Sequence, residues 1–134
     1  KIMKTLYLDA NILLRILLKD DEESFERAQQ YFMKARQKKI QLVLLSEIIL
    51  EVQYVLRKVY SISRKETGQI LKKIIRTLYI DCPDRHLYDS ALDLYIRFNI
   101  DLVDIILFKK AQAENAKVLS FDSDFKILEK EDKS

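Results

Sequence analysis

Glycine, proline, cysteine and histidine each occur once in this chain of 134 residues, as Gly68, Pro83, Cys82 and His86. Each scarcity closes off a class of chemistry. One glycine cannot build the Gly-rich loop that cradles phosphates, nor a dinucleotide fingerprint. One histidine and one cysteine cannot make a zinc site from those ligands. A lone cysteine forms no internal disulfide, so the fold does not depend on oxidation, and a cytoplasmic setting is expected. His86, beside Pro83 and Asp84 near a helix start, is expected at the surface. No serine has a motif that would supply it with an acid–base partner set. Long apolar runs are also missing: the longest is far shorter than a membrane span, so no membrane association is expected. Lys1 to Leu8 leads straight into a strand-like run and does not resemble a signal peptide.

What is present reads as one soluble domain over 1–134, with 49% apolar and 34% charged residues. The net charge of +3 is too mild to imply nucleic-acid binding by itself. Basic residues gather at Lys34, Arg36, Lys38 and Lys39, at Arg57 and Lys58, and at Lys72, Lys73 and Arg76. Each cluster reads as a solvated helix face or as a phosphate-backbone footprint.

Apolar periodicity predicts short strands alternating with helices. Strands are expected at Thr5–Leu8, Ile40–Leu45, Leu78–Ile80 and Lys117–Ser120. Helices are expected at Ala10–Leu18, from the acids Asp20 to Glu23 to about Lys38, from Ser46 to about Tyr60, from a Ser63 cap to about Thr77, from Asp84 or His86 to Phe98, and from Asp101 to about Asn115. The tail is expected to fray from about Glu129. Such alternation implies an α/β fold with a parallel sheet between helices, and ligands then bind outside the carboxyl ends of the strands.

Four acids fall at that rim. Asp9 follows the first strand, Glu51 lies about one turn into the helix after the second, Asp104 sits near the start of the helix before the fourth, and Asp122 follows the fourth, with Asp124 two residues on. Burying part of an ionised carboxylate is costly unless it is paired or holds a cation. Asp104 is the most telling, because its helical neighbours Leu107, Phe108 and Ala111 are apolar, whereas Lys109 and Gln112 mark the expected solvated face. Asp9 also suits a helix cap, Glu51 also suits a boundary salt bridge, and Asp122 and Asp124 also suit a turn. Several acids with no matching bases suggest a hard-metal site.

The stretches Tyr7-Leu8-Asp9-Ala10-Asn11, Leu45-Ser46-Glu47-Ile48-Ile49-Leu50-Glu51-Val52, Asp104-Ile105-Ile106-Leu107 and Leu119-Ser120-Phe121-Asp122-Ser123-Asp124-Phe125 together resemble a PIN domain. More closely they resemble the VapC-type toxins of bacterial and archaeal toxin–antitoxin pairs. The resemblance runs from Leu6 to about Leu128. It implies a three-layer α/β/α sandwich with a small, mostly parallel sheet of about four or five strands. It also implies Mg²⁺- or Mn²⁺-dependent endonucleolytic cleavage of RNA. By position, Asp9, Glu51 (not Glu47), Asp104 and Asp122 become the catalytic and metal-holding quartet, Asp124 an accessory acid, and Asn11 and Ser120 their hydrogen-bonding supports. Homodimerisation and a VapB-like antitoxin are implied as well. Phe25, Tyr31 and Phe32 are candidate surfaces for such partners or simply core. Two departures stand out: Ile105 and Ile106 are bulky where the family commonly has small residues, and Ser120 replaces a frequent threonine. An acidic pocket repels phosphate, so basic rim residues are needed, with Arg15 and Lys109 the expected pair. Two other readings stay open: a catalytically silent PIN-like module that binds RNA or protein, and a receiver-like phosphoryl-transfer domain.

Overall fold

The computed structural model describes residues 3–132. In chain order the elements are β1 (Lys4–Tyr7), α1 (Ala10–Leu18), α2 (Glu22–Arg36), β2 (Ile40–Val43), α3 (Ser46–Lys58), α4 (Arg64–Ile75), β3 (Ile80–Asp81), α5 (Arg85–Arg97), α6 (Leu102–Ala113) and α7 (Asp124–Glu131). The three strands are parallel in the order β1-β2-β3. Leu6 faces Leu42, and Leu42 faces Ile80, which fixes the register on the apolar side. The polar side carries its own string: Thr5 Oγ1 donates to Gln41 Oε1 at 3.1 Å, and Gln41 Nε2 donates to Asp81 Oδ2 at 2.9 Å.

Around this sheet α2 packs on β2, α1 on α2 and α3, and then α3 through α7 each pack on the next helix in sequence. Leu42, Leu44, Ile49, Val52, Leu56, Ile75, Tyr95 and Ile105 are fully enclosed between them. The result agrees with the expected α/β sandwich. Helix starts follow local chemistry. Ser63 caps α4 as its sequence predicts, its hydroxyl accepting the Glu66 N–H at 3.1 Å. Arg85 fastens the far end of that helix to β3 by donating to the carbonyls of Ile75, Thr77 and Ile80. Gly68 lets α4 and α5 approach closely: a Cβ there would stand 2.9 Å from Ile96 Cδ1 and 3.4 Å from Tyr95 Cδ2.

Two expectations need correction. The predicted strand at Lys117–Ser120 is irregular, so the described sheet has three strands. Val118 packs against the core, but Leu119 and Phe121 stand in solvent. The segment lies outside the sheet although β1 and β3 are its edges, so strand chemistry by itself does not make a strand. The tail, in turn, is helical through Glu131, because Phe125 and Leu128 bury one face of α7.

Candidate acidic site

Asp9 stands between β1 and α1 as the helix N-cap, in extended conformation (φ −93°, ψ 156°), yet its side chain makes no capping bond. Its carboxylate is exposed and not used by the helix. Asn11, two residues on, lines a depression with Arg15, Ser24 and Arg27. Glu51 lies on the exposed face of α3, whose opposite face buries Ile49, Val52 and Leu56. Glu47 is a different kind of acid. Its own backbone N–H and the Ser46 hydroxyl, 3.0 Å away, hold its carboxylate below the usual range. It serves the start of α3, as an acid in a first turn does.

The remaining acids meet around the start of α6. Asp101 is the N-cap of α6 without a side-chain capping bond, and Asp104 is half-buried in the first turn. Asp122 and Asp124 are joined in a tight turn: Asp122 N–H donates to Ser120 Oγ and Asp124 N–H to Asp122 Oδ1, both at 2.9 Å. Burial pushes the Asp104 carboxyl above the ordinary aspartate range, and the charges of Asp101, Asp122 and Asp124 push it the same way. The sequence marks Asp101 only as the start of this helix. Only the fold shows its charge acting on Asp104.

The donor set is right for a hard divalent cation, being made of carboxylates. Its placement is incomplete. Among the described residues, no three histidine, cysteine or acidic side chains stand where they could hold one ion. Asp104, Asp122 and Asp124 share one electrostatic neighbourhood, while Asp9 and Glu51 belong to separate elements, the β1–α1 corner and α3.

The expected basic rim also changes. Lys109 is not on a solvated face: it is 8% exposed, and its ammonium donates to Asp132 at 2.8 Å. Gln112 bonds the Asp132 carbonyl at 3.3 Å. The tail helix covers that side of α6, which the α6 sequence alone does not foretell. Leu107, assigned to the apolar stripe, is exposed instead. Arg15 remains near Asn11, paired with Asp20 at 3.0 Å. Arg27, which sequence reasoning passed over, lines the same depression, and its one signal is that it lies on α2 four residues before Tyr31. Of the basic clusters, Lys72 and Arg76 are bound to Asp89 and Asp93, and Arg57 donates to the Ile62 carbonyl at 2.9 Å.

The family profile of the PIN domain matches residues 6–131, nearly the whole chain, and the chain belongs to that family. PIN domains are a nuclease-type fold, generally RNA-cleaving and typically using divalent metal ions. No curated protein matches the chain. No helix among the described residues is long and apolar enough to cross a membrane.

Proposed function

We propose that this single domain is a metal-dependent endoribonuclease, the toxin of a type II toxin–antitoxin pair. In this reading Asp9, Glu51, Asp104 and Asp122 form the catalytic quartet, Asp124 assists, and Asn11 and Ser120 orient the acids. The observation that carries it is Asp104, a half-buried acid on which burial and the charges of Asp101, Asp122 and Asp124 act together, in a chain whose family is nucleolytic. Carboxyls perturbed by burial and like charge gather at functional sites. Mg²⁺ or Mn²⁺, when bound, supplies activation of water and neutralisation of phosphate charge. The chain's own part is to hold oxygen donors and to keep Arg15 and Arg27 near Asn11, where a phosphate backbone needs cations. A VapB-like antitoxin, a homodimer and a cytoplasmic setting belong to the same reading.

The test is hydrolysis of RNA by purified protein with Mg²⁺ or Mn²⁺, its arrest by chelator, and its loss in Asp104→Asn. Full activity in that variant sinks the assignment. Growth arrest on expression, relieved by a co-expressed neighbouring gene product, tests the toxin role. A silent binding module is the second reading, favoured by the absence of three converging ligands among the described residues. RNA binding without Mn²⁺ uptake in calorimetry would select it.

A further inference from the structure

α1 and α2 pack against each other and leave a depression of about 220 Å³ between them. Its polar lining is Asn11, Arg15, Ser24 and Arg27, and no acid borders it. Arg15 is half-buried, with one terminal guanidinium nitrogen 3.0 Å from Asp20. Its Nε is enclosed and bonds nothing among the described residues. A buried N–H without an acceptor costs free energy, so it marks a place where an acceptor belongs. Arg27 is exposed and forms no ion pair among the described residues, although Glu23 lies one turn before it on α2. Ser24 already donates its hydroxyl to Asp21. The depression thus offers donors and positive charge, which suit an anion.

Size and surroundings narrow the anion. Pockets that enclose a whole drug-sized ligand run from about 300 Å³ upward, so this one takes a group rather than a complete nucleotide. Guanidinium forks match the paired oxygens of a phosphate or a carboxylate. The neighbours favour phosphate. Tyr31 borders the same depression and is 44% exposed, and an aromatic ring beside cations suits the base of an unpaired nucleotide. Lys34, about one turn on, stands 5.7 Å over that ring and adds positive charge. Ser24, Arg27, Tyr31 and Lys34 follow at helical spacing and share one face of α2. Asp20 offsets one of the two arginine charges, and the other matches the single charge of a phosphodiester.

We propose that Arg15 and Arg27 form a discrete subsite for one backbone phosphate of single-stranded RNA, separate from the acidic residues and occupied without metal. Asn11, two residues after Asp9, lines the subsite and sets it beside the corner where α1 starts. The phosphate held here is therefore a neighbour of the one presented to the acids. That last step rests on the nuclease reading above; the binding itself does not.

Arg27→Gln tests the subsite against Arg36→Gln, which removes the same charge from an exposed residue of the same helix outside the depression. Both side chains stand in water, so both variants keep the fold. Binding of an oligoribonucleotide without terminal phosphates is measured in chelator over a range of salt, and the Arg15 Nε–H signal is followed by NMR. Arg27→Gln should weaken binding by about tenfold. Its logarithmic salt slope should be shallower by about 0.7, the value of one single-strand phosphate contact. Arg36→Gln should change neither, and RNA should shift the Arg15 signal. Equal losses in the two variants overturn the subsite, since charge anywhere on the helix would then serve. An Arg15 signal that stays in place overturns it too. So does a response to uridine 5′-monophosphate or to an oligoglutamate peptide that equals the response to RNA, because a terminal phosphate or a carboxylate is then the occupant. The expected slopes and shift in a protein that cleaves no RNA with Mg²⁺ or Mn²⁺ support the subsite and remove the nuclease reading instead.

Discussion

Acids on α5 and acids around α6 have opposite fates. On α5, Asp89 receives Arg76 Nε and Nη2 at 2.8 and 3.0 Å, Lys72 lies 3.8 Å away, and Lys72 also bonds Asp93. Arg76 beside Asp89 holds that carboxyl below the usual aspartate range. Around α6, burial and three other carboxylates push Asp104 above it. The first region is closed in packing as well, with Gly68 against Ile96 and Arg64 stacked 3.9 Å over the ring of buried Tyr95. The second borders an irregular segment with two apolar side chains in water. Acids matched by the chain's own cations build structure; acids left unmatched are available to a cation from outside.

Removing the unmatched acid gives the largest effect. On the proposed function, Asp104→Asn should lower RNA cleavage by about 10–100-fold, and it should raise the melting midpoint. The sign follows from the raised pKa: the ionised group disfavours the fold above that value, and the penalty fades as pH falls through it toward the ordinary aspartate value. Wild type and variant should therefore converge in acid, and a variant that melts below wild type at neutral pH breaks the comparison. Next comes Lys109→Ala, which removes the enclosed Lys109–Asp132 pair at the end of α7. Breaking an enclosed pair costs about 3–5 kcal/mol, and about 2–3 kcal/mol is expected here in urea unfolding, because Asp132 lies past the last turn of α7 and can turn to water. Gly68→Ala sharpens the packing half of the contrast. Overfilling the α4–α5 contact should destabilise by about 1–3 kcal/mol in the same assay. The smallest effect is Asp89→Asn, about 1 kcal/mol or less, because its partner Arg76 is exposed and solvent screens the pair. Its lowered pKa puts that stability above the ordinary aspartate value, to be lost as pH falls through the lowered one. Melting curves of wild type and Asp89→Asn should merge there, from a gap at neutral pH opposite in sign to that at Asp104.

Much of the architecture was legible because it is written locally. Ala10–Leu18 is helical over its expected span, Ser63 caps α4, and alternating elements imply the parallel sheet. Family membership was legible in four short acidic stretches. What could not be read depends on distant parts of the chain. Lys109 looks like a surface residue until α7 covers it, and nothing within α6 encodes that cover. The 117–120 stretch has strand chemistry, but an edge is a property of the sheet. Asp101 looks like an ordinary cap until its charge acts on Asp104.

The hydrogen-bonded string Thr5–Gln41–Asp81 has a consequence for how the chain finds its shape. It joins residues 36 and 40 positions apart, so it forms only when three remote segments have met. Gln41 is polar in one direction, accepting from Thr5 and donating to Asp81, and a pairing slipped by one residue supplies neither partner. At about 1 kcal/mol per bond the string proofreads strand alignment during folding. Gln41→Leu should leave the finished sheet nearly as stable while admitting misaligned intermediates that slow its arrival.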